Sequence, residues 1–248
     1  MKRNWAVILA AAISISGLAI IILFWHYQSA KIPTAPKNVP RAEVTSVPTD
    51  NAPSSSDKYP LHQNITVTTF WIGEDASGSN AFISNAKSAW DENWQVHYGG
   101  VDDPKNRNGF YPAAFIPEEN PFYFALPYND FDAGGNRKPD VNKIVYWAAD
   151  GTWDASQSML KNQWIKITKN GTAVYAQWED VGPFGENDSD YVFGNSTPQS
   201  SSNNNAGLDV SPAIETYLNL SGEDTVSWQF IKAADVPSGP WKDIVTTS

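Results

Sequence analysis

The chain has 248 residues, no cysteine, and 27 acidic against 17 basic residues, giving a formal net charge of −10. That length allows one domain of ordinary size plus appendages. The missing cysteines exclude disulfides, thiolate metal sites and a cysteine nucleophile. The acidic balance excludes nucleic acid as a partner.

The N-terminus reads Met-Lys-Arg and then runs uncharged from Trp5 to Trp25. At about 1.5 Å per residue that run spans roughly 31 Å, the thickness of a bilayer core. Lys2 and Arg3 keep the stub, residues 1–4, on the cytoplasmic side, and Trp5, Trp25 and Tyr27 suit the interfaces. The expectation is a transmembrane signal anchor over 5–27 with an extracytoplasmic C-terminal domain. A cleaved signal peptide fits less well, because its apolar region is usually shorter and Gln28-Ser-Ala30 makes a poor cleavage site. Residues 28–60 carry Pro33, Pro36, Pro40, Pro48, Pro53 and Pro60 among Ser, Thr, Ala and Asn. That composition reads as a semi-extended linker.

Residues 61–235 show short apolar or alternating runs set off by turn residues, the pattern of an all-β domain. Thr66 to Gly73 reads as a first strand, and Ser84 to Glu92 as a short helix. Phe122 to Leu126 reads as a strand buried on both faces, and Asn142 to Trp147 as a short extra strand. Residues 131–162 and 194–206 are long and polar and read as insertions, the second placed to rim a cleft or merely to tolerate length. Ile165 and Ile167 alternate with Lys166 and Thr168, and Asn170-Gly171 marks a tight hairpin turn. Beyond it Val174, Ala176 and Trp178 take one face, and continued alternation sends Asp180 to the same side. Ser211 as cap, Pro212 in the first turn, and Ile214, Tyr217 and Leu218 on one face predict a helix closed by Gly222. Val226 to Ile231 forms the last strand, and residues 236–248 a C-terminal tail.

Two segments carry chemistry. Tyr175 to Gly185 is a strand that ends in Asp180 and a Gly-Pro turn. Gly207 to Ala213 places Asp209 on a short apolar run before a helix. Asp180-Val-Gly-Pro-Phe184 resembles the Asn-Asp-Arg-Gly-Pro-Phe motif of the rare lipoprotein A family. Leu208-Asp-Val-Ser-Pro212 resembles the Leu-Asp-Leu-Ser-Pro segment of bacterial expansins. The resemblance covers about residues 62–232 and implies a mainly β fold, the six-stranded double-psi β-barrel shared with certain small endoglucanases, here with short helices and loop insertions. It implies polysaccharide as partner and these acids as its functional groups. The chain departs from rare lipoprotein A in lacking that family's histidine: Pro112-Ala-Ala-Phe115 has phenylalanine in its place, and His26, His62 and His97 fall elsewhere. Lytic transglycosylase chemistry by the family's own route is thereby put in doubt.

Asp180 and Asp209 are therefore the expected catalytic acids, Asp209 as general acid and Asp180, or Asp130, which also follows a strand, as its partner. Glu74 and Asp75 follow the first strand, near the position of the endoglucanase base. Each acid also has a structural reading: Asp180 bracing its turn, Asp209 binding helix-start amides. Trp71, Tyr128 and Trp178 flank the acids and are the expected sugar-stacking residues. Glu186 to Asp190 alternates oxygen ligands but lacks the rest of a calcium loop, so it reads as a solvated acidic loop, and no metal or cofactor is expected. From Pro60 onward 11 basic residues face 24 acidic ones, which favours a neutral or cationic glycan. Three functions remain open: a glycan-cleaving enzyme, a non-hydrolytic expansin-like wall binder, and a structural ectodomain whose acids are buried away from any cleft.

Overall fold

The computed structural model describes residues 58–80 and 82–247. The expected anchor over 5–27 and nearly all of the linker lie outside them. No described helix is long and apolar enough to cross a membrane.

The described chain is mainly β. Its strands are β1 (His62–Thr69), β2 (Arg107–Asn108), β3 (Tyr111–Pro112), β4 (Tyr123–Leu126), β5 (Trp164–Lys169), β6 (Thr172–Val181), β7 (Leu208–Val210) and β8 (Asp224–Ile231). The helices are short: α1 (Trp94–Tyr98), α2 (Val141–Ile144), α3 (Ser189–Val192) and α4 (Pro212–Leu218). Six strands close a barrel in the order β1-β7-β4-β6-β5-β8, and β2 and β3 form a separate two-stranded sheet. β1 runs parallel to β7 and β4 parallel to β6, while the other barrel pairs are antiparallel.

Alternation in the strands builds the core. Val67, Phe124, Ile167, Trp178, Val210, Trp228 and Phe230 belong to the main cluster, each at most 1 % exposed. β4 is buried on both faces, as its apolar run predicts: Phe124 and Leu126 join the main core, while Tyr123 and Ala125 join a second cluster outside it. That outer cluster comes from the long β1–β4 connection, with Phe70, Ile72, Trp94 and Tyr98. Asp102 ties it down, accepting from the Tyr123 hydroxyl at 2.9 Å and pairing with Arg107.

The Asn170-Gly171 hairpin forms as predicted, with φ of 50° and 82° at its two turn residues and Lys169 opposite Thr172, the twist that suits flanking strands. Helix α4 starts as expected, the Ile214 N–H donating to Ser211 Oγ at 3.4 Å. It ends at Asn219, in the left-handed region, rather than at Gly222.

Other expectations fail for identifiable reasons. Residues 142–147 are not a strand: α2 occupies 141–144, and Val145 and Trp147 pack into the core. A closed barrel has no free edge for a further strand to join. Residues 84–92 form no helix, since Ser84 Oγ accepts the Ala86 amide and Ser88 Oγ those of Trp90 and Asp91. Such local bonds compete with the helical ladder. Residues 236–247 pack on the domain: Trp241 is buried, and Thr246 bonds Asn120 and Gln177 at 3.0 and 2.9 Å.

Candidate functional site

A single cross-strand row assembles the site. Thr68 in β1 pairs with Asp209 in β7, Asp209 with Ala125 in β4, and Ala125 with Asp180 in β6. Residues directly opposite each other share a face of the sheet, so both acids stand on the face of Ala125, outside the barrel. Ala125 is the small residue between them. With neighbouring strands about 4.8 Å apart, the two Cα atoms lie roughly 10 Å from each other.

Asp180 reaches this face through a β-bulge. Phe124 pairs with Trp178, but the next residue, Ala125, pairs with Asp180, leaving Glu179 as the extra residue. The expectation that Trp178 and Asp180 share a side is thus corrected: the bulge breaks the alternation, a device that re-aims side chains.

The row floors a cleft of about 470 Å³ whose lining includes Thr68, Trp71, Glu74, Asp180, Phe184 and Asp209. Each aspartate has one oxygen tethered. Asp180 Oδ1 accepts the amides of Ala89 and Val181, both at 2.8 Å, and Asp209 Oδ1 accepts the Thr68 hydroxyl. Neither Oδ2 takes a hydrogen bond among the described residues, and Asp209 Oδ2 lies 3.6 Å from where a Cβ on Gly182 would sit. The two motif segments therefore meet at this point.

Burial pushes the Asp180 carboxyl up to about 7, against the two amide bonds and with help from the Asp209 charge. Burial likewise raises Asp209 to about 6, against the Thr68 bond and with help from Glu74. Glu74 is itself raised by burial, and it accepts from Asn85 Nδ2 at 2.9 Å. The cleft thus holds three carboxyls whose ionised forms are disfavoured by burial.

One wall is the segment from Trp71 to Ala89, and another is the turn at Gly182, Pro183 and Phe184. Phe184 is 43 % exposed and held at φ 54°, a left-handed conformation that costs a non-glycine residue about 1 kcal/mol or more. Such outliers cluster at functional sites. The 194–206 insertion contributes Asn203, in a run of three asparagines at positive φ pinned where Thr66 Oγ1 donates to the Asn204 carbonyl.

The other expected site residues lie elsewhere. Asp130 is wholly buried and does not line the cleft: its carboxylate accepts from Arg137 Nη1, Ser158 Oγ and the Met159 amide at 2.8–2.9 Å. It ties the 131–162 insertion to the domain. Trp178 is fully buried, stacked between Phe124 and Phe230 with centroids 5.9 Å from each. Tyr128 is 3 % exposed, edge-on to Phe193 with Lys138 over its ring. Neither aromatic is open to a ligand, because the barrel uses both as core. Asp75 is exposed and outside the cleft lining.

Thr68, Asn85 and the Ala89 amide escape sequence reading. Thr68 is an ordinary strand threonine until its register with Asp209 is known, and Ala89 contributes only backbone.

No family model matches the chain, and neither does any curated protein. Among solved structures, the Streptomyces papain inhibitor aligns over 70 % of this chain and 96 % of its own length, at 12 % identity and a TM-score of 0.28. That similarity is too slight to bear on fold or site.

Proposed function

We propose that this is a membrane-anchored, extracytoplasmic double-psi barrel whose cleft binds and cleaves a polysaccharide. The anchor rests on the uncharged run over 5–27. The double-psi assignment is supported by the two parallel pairs, β1/β7 and β4/β6, joined through antiparallel β4/β7. It is also supported by the likeness of the Asp180 and Asp209 segments to rare lipoprotein A and expansins.

The observation that carries the reading is the Thr68–Asp209–Ala125–Asp180 row, two carboxyls with free oxygens across the floor of one open cleft. Asp180, the higher of the two, is the general acid: its proton passes to the glycosidic oxygen as the bond to the anomeric carbon breaks. Asp209, the lower, is the base: it takes a proton from the water that attacks that carbon. A two-strand separation suits the wider carboxyl spacing, about 6.5–9.5 Å, that leaves room for this water and inverts the anomeric centre. Trp71 and Phe184 supply the flat apolar faces on which sugar rings stack.

The test incubates the full-length protein, Asp180→Asn and Asp209→Asn with peptidoglycan, cellulose and chitin, and reads soluble products by mass spectrometry. Products from the parent that vanish in both variants support the enzyme. Binding without products, weakened in the variants, makes it an expansin-like binder. Neither products nor binding leaves a structural ectodomain and sinks the proposal.

A further inference from the structure

A second group of titratable side chains lies around helix α1, outside the lining of the cleft. Asp91, His97 and Glu119 each present a ligand atom, and these atoms all lie within 4.8 Å of one another. Chain geometry holds the three in place. Ser88 Oγ accepts the Asp91 amide at 3.1 Å, and Asp91 Oδ1 accepts the Asn93 amide at 2.8 Å, which leaves Oδ2 turned to His97 Nδ1 at 2.6 Å. His97 sits in the last turn of α1. The Glu118 amide donates to the Tyr98 carbonyl at 3.0 Å and so docks Glu119 against the end of the same helix.

Glu119 is 5 % exposed; the Trp94 indole N–H lies beside it, but neither carboxylate oxygen accepts a hydrogen bond of normal geometry. Neither oxygen of the bulge residue Glu179, at 1 % exposed, accepts one either. Buried polar groups are normally satisfied, and carboxylate oxygens left without a hydrogen bond are available to ligate a cation. The two Glu119 oxygens are unpartnered where the Asp91–His97 pair presents its own ligand atoms.

We propose that Asp91, His97 and Glu119 bind a divalent first-row transition ion of the zinc type. The imidazole selects against calcium and magnesium, which take oxygen ligands, whereas one nitrogen and carboxylate oxygens suit zinc. At bond lengths near 2.0–2.1 Å tetrahedral ligands stand about 3.3 Å apart, so the Asp91–His97 contact opens slightly on binding. The His97 side chain, 53 % exposed, is free to turn. The site has a structural consequence for the cleft. It pins the segment from Asp91 to His97, and the same loop two residues upstream supplies the Ala89 amide that holds Asp180.

The test is calorimetric titration of the full-length, chelator-treated protein with zinc, calcium and magnesium chlorides, beside His97→Ala and Glu119→Gln. The expected result is one zinc per chain, calcium and magnesium at least tenfold weaker, a zinc-dependent rise in melting temperature, and at least a tenfold loss of zinc affinity in each variant. His97 is exposed, so its variant keeps the fold, which circular dichroism checks, even if the buried Glu119→Gln does not. No zinc binding by the parent, preferential binding of calcium, or undiminished zinc affinity in a folded His97→Ala protein overturns the proposal. Glycan cleavage is not a readout, so the outcome is independent of the cleft's function.

Discussion

Asp180 is held by opposed effects, of which burial is the larger. Burial disfavours its charge, while the Ala89 and Val181 amides favour it, and the balance leaves the carboxyl at about 7. Against an unfolded value near 3.9, the folded state binds more protons between about pH 4 and pH 7, so folding stability falls as pH rises through that window and levels off above it. Asparagine keeps an Oδ1 that accepts both amides but carries no charge. Asp180→Asn should therefore melt with the parent near pH 4 and above it at pH 8. A melting difference that does not change with pH would refute the assignment. If the cleft cleaves glycan, the rate should follow a bell whose limbs fall near 6 and 7, the acid limb reporting ionisation of Asp209 and the alkaline limb loss of the Asp180 proton. A single-limbed profile across that range would exclude the acid–base division of roles. Phe184 gives a third residue-level test: Phe184→Ala should weaken glycan co-sedimentation severalfold with little change in melting temperature, because the ring is exposed and alanine keeps the same Cβ at this positive φ.

Among the elements, the connection tied by Asp130 separates structure from chemistry. Its carboxylate gathers Arg137, Ser158 and Met159, and Arg137 also donates to the Asp154 and Gln157 carbonyls. Asp130→Ala strands a largely buried guanidinium, which costs about 3 kcal/mol and should lower the melting temperature by roughly 10 °C. Products formed well below that temperature should keep the parent's pH profile; a shifted profile would return Asp130 to the chemistry. Sequence reading reached some of these elements and not others, for physical reasons. The hairpin was legible because Asn170-Gly171 fixes a turn locally, and the start of α4 because Ser211 and Pro212 act within one turn. The β6 bulge was not, since Glu179 and Asp180 are both acidic and the sequence does not say which of them is the extra residue. The β1–β4 connection was illegible too: Phe70, Trp94, Tyr98 and Tyr123 make a core by meeting across sequence, not by any periodicity. So the two acids could be picked out from their Gly-Pro and Ser-Pro neighbours, while the bulge that aims one, the threonine that holds the other and the wall above both could not.

At the scale of the whole molecule, if the cleft takes a polysaccharide as proposed, charge sets which polymers can reach it. From Pro60 onward 24 acidic residues face 11 basic ones, and the cleft repeats the imbalance with Glu74, Asp180 and Asp209 against Lys87. Lys87 is engaged with Glu92 at the surface, so it offers a glycan little uncompensated charge. A polyanion approaching this face meets a repulsive field that extends about 8 Å at physiological ionic strength and farther in dilute buffer. Stacking of neutral sugar rings on Trp71 and Phe184 involves no net charge and should ignore salt. Co-sedimentation with cellulose or chitin should therefore vary little between dilute and physiological salt. Binding to a polyuronate should be weaker and should rise severalfold as salt screens the repulsion. Tight polyuronate binding in dilute buffer would show that local contacts outweigh the field, and it would remove the charge argument for a neutral or cationic substrate. It would do so without touching the acid pair, whose geometry rests on strand register and not on net charge.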